Sequence, residues 1–406
     1  MPVVAPLPRA WRFIPERVLT HLEELAYLWQ RRRASLRSDS LTLRDFAYLS
    51  ERIEAHVQGA MVAGPALDDL GGSALASPDR DEVFAIAWAL LRCAADHQVS
   101  RVLEAFQQTR GAGLAGLGEA LTLVPLASTE AALRDALTHG NAPQAAWVSL
   151  ALAQQGRLEA DAAGLAGLLV HDQGAVAEVA WRAARCVDTH RTAQPRPYAE
   201  AIRHADPLVV EAAVETAIWT GQPWVLETLW RLAEVPERQT WALGWLAALV
   251  PADGQAAVLA RIGEQPAAQR GPLAARLGTW QALEQVHAWM ASDDPLLAAS
   301  ALHGWSRMTG LSADGARVAS PAGDDEDPVL QDLRDELVLP DLAKARQLRD
   351  EHGKRWQGGV RWCRGHDIRD SLSREAQRWI DLEARWDFGA RAALAGQGVI
   401  PPPPSV

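Results

Sequence analysis

Few of the 406 residues are of the types that favour β-sheets. The chain has only three tyrosines and five phenylalanines. Nowhere do Val, Ile and Thr alternate with polar residues in the pattern of a half-buried strand. Ala, Leu, Arg and Glu, which are strong helix formers, are abundant instead. The sequence therefore predicts an all-α fold.

Cysteine is also scarce. Cys93, Cys186 and Cys363 lie far apart, and no two of them have the spacing of a metal site or a redox pair. The first residues, MPVVAPLPRAWRFIP, lack the basic stretch followed by an apolar core that marks a secretory leader. No segment approaches the roughly 18 uninterrupted apolar residues of a membrane span. These absences predict a cytoplasmic protein with reduced thiols and no contact with a membrane.

Basic charge is in deficit. The 40 Lys and Arg residues are outnumbered by 51 Asp and Glu, which gives a formal net charge of −11. A protein that binds nucleic acid usually has a basic face, so we expect no direct contact with nucleic acid. An acidic surface has two interpretations, plain solubility and attraction of a basic protein partner.

No local signature of an enzyme is present. The chain has no P-loop, no Gly-x-Ser-x-Gly elbow and no His-Glu-x-x-His motif. GAGLAG, from Gly111 to Gly116, has the glycine spacing of a dinucleotide site, but that site needs a preceding strand and RVLEAFQQTR favours a helix. We interpret GAGLAG as a flexible turn between helices. His366 and Asp367 form a pair without further ligands, and we expect no catalytic residue, no cofactor and no metal site.

Two helices are predicted near the N-terminus, from Pro15 to Arg33 and from Leu43 to Val62. The second contains LSERIEAHVQGAMVAG, in which Leu49, Ile53 and Val57 recur every four residues and so share one face. We expect this face to pack against the rest of the protein as an N-terminal cap. His56 and Gly59 should mark close packing.

Glu51 and Glu54 of the same stretch raise the alternative of a metal-dependent enzyme. They have the i, i+3 spacing that His21 and Glu24 show in the first helix. Di-iron helical bundles need Glu-x-x-His in that order on two helices, and residues 15–62 lack it. Carboxylates that face solvent or pair with neighbouring charges are the simpler interpretation.

The central third of the chain repeats. Four segments share an apolar stretch, a short polar break and an alanine-rich apolar helix: ALTHGNAPQAAWVSLALAQQG, LLVHDQGAVAEVAWRAARC, AIRHADPLVVEAAVETAIWTG and WMASDDPLLAASALHGWSRMTG. Pro207, Pro236, Pro266 and Pro295 mark the breaks at intervals of 29, 30 and 29 residues. Proline suits the first turn of a helix, and Asp or Asn before it caps that helix.

Units of about thirty residues, each a helical hairpin, are typical of an α-solenoid of the HEAT class. Asn141, Asp172 and Asp206 mark the equivalent breaks upstream. A globular helical bundle is the alternative. We divide the chain into an N-terminal helical cap region (1–127), a HEAT-like repeat solenoid (128–311), an acidic Gly/Pro-rich loop (312–328), a C-terminal helical region (329–396) and a disordered tail (397–406).

Tryptophan is unusually common, with 17 residues, of which ten lie between Trp147 and Trp305. Most of these should fill the core between alanine-rich helices. Glu211, Glu215 and Trp219 stand four residues apart and therefore share a helix face. On a concave surface, a Trp beside carboxylates would be a hot spot for a basic partner. We predict these three residues as partner-binding.

Five blocks frame the repeat: HLEELAYLWQRR, LSERIEAHVQGAMVAG, ALHGWSRMTGL, DELVLPDLAKARQLRDEHGKRWQGGVRWCRG and SLSREAQRWIDLEARW. In their order and spacing they resemble a proteobacterial family of HEAT-like repeat proteins associated with type VI secretion loci. The resemblance spans nearly the whole chain. It weakens at GGVRWCRG, where relatives tend to have a Gly-x-Arg-Tyr-Leu-like segment.

This resemblance implies partner binding without catalysis. A similar protein acts as the immunity protein of a secreted toxin with a restriction-endonuclease-like nuclease fold. The expectation is therefore a protein that neutralises a cognate toxin effector, either by covering its active site or by locking its assembly state. Two alternatives stay open, an adaptor or chaperone that loads an effector onto the secretion spike and a metal-dependent enzyme that uses the N-terminal carboxylates.

Overall fold

The computed structural model describes residues 13–124, 127–159, 161–162, 164–190, 196–319, 336–358, 360–369 and 372–397. Their regular structure is almost entirely helical, with twenty-one α-helices and two short strand pairs in this part of the chain. The prediction of an all-α fold is confirmed. The chain forms two compact units: unit 1 includes Asp45–Gln222, and unit 2 is made of Arg37–Arg44 and Pro223–Ala395.

Unit 1 stacks helical hairpins. Its helices, with the first two residues of α2 assigned to unit 2, are α1 (Pro15–Ser35), α2 (Leu43–Met61), α3 (Leu67–Gly71), α4 (Arg80–Cys93), α5 (Asp96–Gln108), α6 (Gly111–Leu123), α7 (Ala127–His139), α8 (Ala142–Gln154), α9 (Leu165–Leu169), α10 (Gly174–His190), α11 (Tyr198–Ala201) and α12 (Pro207–Trp219). Helices α4, α6, α8, α10 and α12 pack one against the next in a row. Each of α6, α8, α10 and α12 also packs against the helix before it in sequence, as a hairpin.

Unit 2 repeats this arrangement and adds two strand pairs. Its elements are α13 (Val225–Leu232), α14 (Gln239–Leu249), α15 (Gln255–Gly263), α16 (Ala267–Leu277), α17 (Trp280–Trp289), α18 (Pro295–Thr309), β1 (Asp314–Ala319), β2 (Glu336–Pro340), α19 (Leu342–Gln357), β3 (Trp362–Cys363), β4 (His366–Asp367), α20 (Arg374–Trp379) and α21 (Leu382–Leu394). Helices α14, α16 and α18 form the row, and α13, α15 and α17 are their hairpin partners. Both strand pairs are antiparallel.

Three of the predicted polar breaks cap the row helices that follow them. The Asp206 carboxylate accepts a hydrogen bond from the Leu208 N–H at 2.9 Å at the start of α12. Asp294 does the same for α18, and Asn141 caps α8 through a capping box. These caps satisfy N–H groups that have no partner inside the helix. At Asn141, Asp206 and Asp294 the predicted break is thus a helix start, whereas α14 begins three residues after Pro236.

The interpretation of GAGLAG as a flexible turn is wrong, because α6 begins at Gly111 and runs through the motif. Its glycines instead allow α6 to pack closely against the residues just before α4 and against the first turn of α4. A Cβ on Gly113 would lie 2.9 Å from the Ser77 carbonyl oxygen, and a Cβ on Gly116 would collide with the backbone of Arg80. The spacing reflects close helix packing.

Two other predictions meet the structure only in part. The predicted loop at 312–328 begins with a strand, since β1 pairs with β2. Residues 320–335 and 398–406, which include the rest of that loop and nearly all of the predicted tail, lie outside the described residues. The boundary between the units, at Gln222 and Pro223, cuts through the predicted repeat region 128–311. In the described part of the chain, no helix is long and apolar enough to cross a membrane.

Candidate functional site

The residues predicted to bind a partner are not exposed together. Trp219 is only 3% exposed. Glu211 and Glu215 are half-buried, and the Glu215 carboxylate lies 2.9 Å from the Arg185 guanidinium. The prediction that Trp219 is an exposed hot spot is wrong, because α12 is a row helix whose sides are mostly apolar and buried.

Most tryptophans fill the core, as predicted. Ten of the sixteen in the described residues are buried, and Trp181, Trp245 and Trp305 are among the largest fully buried side chains. Trp379 is the one described tryptophan that is strongly exposed, at 50%. It lies on α20, four residues after Glu375, so both side chains share one face of that short helix. The combination of an exposed tryptophan and a carboxylate, which was predicted for α12, therefore occurs on α20.

Trp379 and Glu375 line an open groove of about 740 Å³ within unit 2. The last turns of α18, the segment that follows it, the β3–β4 hairpin, residues Asp39 and Ser40, and α20 line the groove. The other lining residues are Asp39, Ser40, His303, Ser306, Arg307, Gly310, Leu311, Ser312, Asp314, Arg364 and His366. Three of the lining residues are carboxylates. The groove thus combines an exposed aromatic ring with acidic side chains.

The tip of the β3–β4 hairpin holds Arg364 at the groove. Arg364 and Gly365 have φ angles of +47° and +77°, the left-handed conformation that a two-residue hairpin turn of this type requires. Their N–H groups donate to the carbonyl oxygens of Arg307 at 2.6 Å and Met308 at 2.9 Å, near the C-terminus of α18. The Arg364 guanidinium donates to the Ser40 carbonyl oxygen at 2.6 Å. A non-glycine residue is costly in this conformation, so the contacts of its side chain and backbone must maintain it.

Asp39 and His303 are hydrogen-bonded to each other in the groove. The His303 Nε2–H donates to Asp39 Oδ2 at 2.8 Å. This hydrogen bond is the main cause that lowers the pKa of Asp39, and the charge of Arg307 lowers it further. Arg307 itself is bound by Asp381 at 2.9 Å and Glu383 at 2.9 Å. Arg307 is thus paired with two carboxylates, and Asp314 and Glu375 line the groove together with the Arg364 side chain.

The N-terminal carboxylates do not converge on a common point. Glu51 is exposed, whereas Glu54 forms a bidentate pair with Arg92 at 2.7 and 2.9 Å. The hydrogen bond from Arg92 lowers the pKa of Glu54. Among the described residues, no group of three or more His, Cys, Asp or Glu side chains could hold a metal ion. The structure therefore gives the metal-dependent alternative no assembled site in that part of the chain.

The cap-helix prediction is confirmed in its packing. Ile53 and Val57 are 2% and 0% exposed, and Leu49 is half-buried against the same core. His56 Nδ1 lies 3.2 Å from His21 Nδ1. A Cβ on Gly59 would lie 2.6 Å from the His21 ring. Both residues therefore mark close packing between α1 and α2.

This histidine pair predicts a pH dependence of stability. Burial and the neighbouring His21 lower the pKa of His56 below the usual value of about 6.5. At pH values between the pKa of His56 in the folded protein and its pKa in the unfolded chain, the unfolded chain binds more protons. The free energy of unfolding is therefore highest above about pH 6.5 and decreases as the pH falls. Urea unfolding at pH 7.5 and 5.5 should show a smaller difference for His56→Gln than for the native chain. An unchanged difference would mean that His56 has no such role.

Neither protein-family models nor curated proteins nor solved structures give a match to this chain. The groove must therefore be interpreted from its own geometry. A local signal for Trp379 did exist, since REAQRW is polar around the tryptophan whereas VETAIW is apolar around Trp219. Asp39, His303 and Arg364, by contrast, are far apart in the sequence, and no spacing could have brought them together.

Proposed function

We propose that this protein is a non-enzymatic immunity protein that binds and neutralises a basic toxin effector of a type VI secretion system. It acts in the cytoplasm through a HEAT-like solenoid, as the family resemblance implies. The observation that supports the proposal most is the groove in which the exposed Trp379 ring stands beside Glu375. Such a site suits a lysine or arginine side chain of the partner.

The energetics favour this assignment. A cation over an exposed tryptophan face gains about 0.5–1 kcal/mol, and the gain rises when a protein partner excludes water from the site. The nearby carboxylates add modest attraction while the site is wet. Trp is enriched among the residues that carry most of the binding energy in interfaces. We therefore assign Trp379 as the anchor of the interface.

A second acidic feature supports a basic partner. Glu234, Glu264 and Asp293 are exposed, and each stands two residues before one of the prolines that mark the repeat. The Arg261 guanidinium contacts both Glu234 and Glu264, which shows that successive turns of unit 2 are neighbours. With the net charge of −11, this arrangement would accelerate encounter with a basic toxin.

The interaction itself is tested by co-purification with the product of the neighbouring gene, followed by rescue from its toxicity. Deletion of the gene should kill the cell only while the toxin is active. Loss of secretion without self-poisoning would instead identify an adaptor. A stable inhibitory complex should bury about 1,600 Å² or more.

Trp379→Ala should weaken toxin binding about tenfold or more, because it removes the aromatic anchor from the groove. Glu375→Lys should weaken binding as well, and its effect should grow at low salt. Affinities are measured by calorimetry with the inactive toxin.

The matched control is Tyr48→Ala on α2, since Tyr48 is an exposed aromatic residue (65%) in unit 1. It should leave the affinity within a factor of about two. Equal losses for Trp379→Ala and Tyr48→Ala, or no loss for either, would remove the groove from the interface.

A further inference from the structure

The segment Arg37–Thr42, here called the strap, connects α1 to α2 but belongs to unit 2. It has no helix of its own, and its side chains and backbone are bound by unit 2 in the way that proteins bind a peptide. Its residues Asp39 and Ser40 also line the groove that contains Trp379.

Arg37 provides the side-chain anchor of the strap. Its guanidinium carbon lies 5.1 Å from the centre of the Trp245 ring and 5.0 Å from the centre of the Trp386 ring. Both tryptophans are buried, at 1% and 5% exposure. A guanidinium held by two aromatic rings is a specific contact, because the planar cation stacks where an ammonium does not.

The strap backbone supplies hydrogen-bond acceptors to the start of α21. The Leu382 N–H donates to the Leu41 carbonyl oxygen at 2.9 Å, and the Glu383 N–H donates to the Ser38 carbonyl oxygen at 3.0 Å. The first N–H groups of a helix have no partner inside it. Leaving such groups unpaired costs about 1–3 kcal/mol each when they are buried. The start of α21 therefore requires a chain segment beside it.

Further contacts fix the direction of the strap. His303 holds the Asp39 carboxylate, and Arg364 holds the Ser40 carbonyl oxygen at 2.6 Å. Thr42 forms an isolated antiparallel bridge with Asp381. Along the strap, unit 2 thus contacts an arginine side chain, then an acidic side chain two residues later, and then the backbone at Thr42.

We propose that unit 2 contains a peptide-binding site that the strap fills in cis, and that the site accepts in its place a protein segment carrying Arg-x-Asp. Apart from the backbone bridge at Thr42, every contact described above is made to a backbone carbonyl or to the Arg37 and Asp39 side chains, so a segment with those groups and the same backbone path satisfies them. That path bends at Asp39 and Ser40, where the Ser38 hydroxyl accepts from the N–H groups of Ser40 and Leu41 at 3.2 and 3.0 Å. The ligand class is a peptide that adopts this bend, with arginine as its anchor. This inference does not depend on the proposed toxin.

The test uses the peptide LRSDSLTL, residues 36–43, and a second peptide in which its arginine is replaced by alanine. In the full chain, the double variant Arg37→Ala/Asp39→Asn weakens the resident strap. It should bind the arginine peptide at least tenfold more tightly than the alanine peptide, by fluorescence anisotropy. The native chain should bind neither peptide at the same concentrations. Equal affinities for the two peptides, in a double variant that still melts cooperatively, would overturn the proposal.

A second measurement uses the native chain and therefore does not depend on whether a variant folds. The backbone amides of the strap exchange rapidly with deuterium only when the strap leaves its site. Excess arginine peptide should displace the strap of the native chain and accelerate this exchange several-fold, while the alanine peptide should not. An unchanged exchange rate at saturating arginine peptide would also overturn the proposal.

Discussion

Gly271→Ala is expected to lower the free energy of unfolding by about 3 kcal/mol, at the upper end of the usual cost of overpacking. The reason lies where α16 and α18 cross. A Cβ on Gly271 would collide with the backbone carbonyl of Ser300, and a Cβ on Gly304 would lie 2.6 Å from the Gly271 carbonyl oxygen. No rotamer change can relieve a contact with backbone atoms, so the two helices would have to separate. Urea unfolding followed by circular dichroism measures the loss.

Helix propensity predicts the opposite sign, because alanine is favoured over glycine inside a helix by up to about 1 kcal/mol. The control is Gly167→Ala on α9, where an added Cβ would have no neighbour within 4 Å. This variant should be as stable as the native chain or more stable. If Gly271→Ala behaved like Gly167→Ala, the row of α14, α16 and α18 would not depend on this close crossing.

The repeat could be derived from the sequence because its signals are local. Asp206 and Asp294 each cap a helix that the next residue, a proline, opens, and such signals act within one turn of the chain. Close packing was predicted at Gly59 but not at Gly113 and Gly116. Gly113 and Gly116 were assigned to a turn because a glycine that allows close packing and a glycine that allows flexibility look alike without the neighbouring helix.

The pattern predicted for an exposed tryptophan beside carboxylates occurs on α20 and not on α12. Glu215 and Trp219 have the same four-residue spacing as Glu375 and Trp379, and spacing alone does not distinguish them. Their surroundings do, because an apolar helix such as α12 must be buried on most sides, whereas α20 is polar. Burial of the whole helix thus decides whether a tryptophan is core or surface.

The groove and the strap could not be predicted from the sequence, for a different reason. Asp39 meets His303, and Ser40 meets Arg364, across hundreds of residues. Such contacts are fixed by the packing of the row helices and not by any local preference. The left-handed conformation of Arg364 is likewise stabilised by the backbone hydrogen bonds that Arg364 and Gly365 donate to α18. A sequence pattern can indicate an exposed tryptophan, but only the fold supplies the surrounding charges.

Asp381→Asn should be the second strongly destabilising substitution, with a loss of about 3–5 kcal/mol, the usual cost of breaking a buried ion pair. The side chains of Asp381 and Arg307 are 0% and 4% exposed and form two hydrogen bonds, at 2.9 and 3.0 Å. Burial lowers the pKa of Arg307, but Asp381 and Glu383 more than offset it and raise the pKa above its usual range. Arg307 therefore stays charged, and asparagine would leave that charge partly uncompensated.

The choice of asparagine isolates the charge from the helix cap. Asp381 also caps α21, where its Oδ1 accepts from the Ala384 N–H at 2.8 Å, and asparagine caps a helix about as well as aspartate. The exposed Asp253→Asn is the control and should change stability by less than about 0.5 kcal/mol.

The double variant Arg307→Met/Asp381→Asn decides between the two roles of Asp381. Removal of both charges should recover part of the stability lost in Asp381→Asn, since no unpaired buried cation remains. Glu383 would still be paired, because it lies 3.3 Å from Arg276. A double variant that is no more stable than Asp381→Asn would show that the loss comes from the packing around Cys363, whose thiol lies 3.3 Å from the same carboxylate. In that case the ion pair would contribute little, and the position of α21 would depend mainly on the backbone contacts at its first turn.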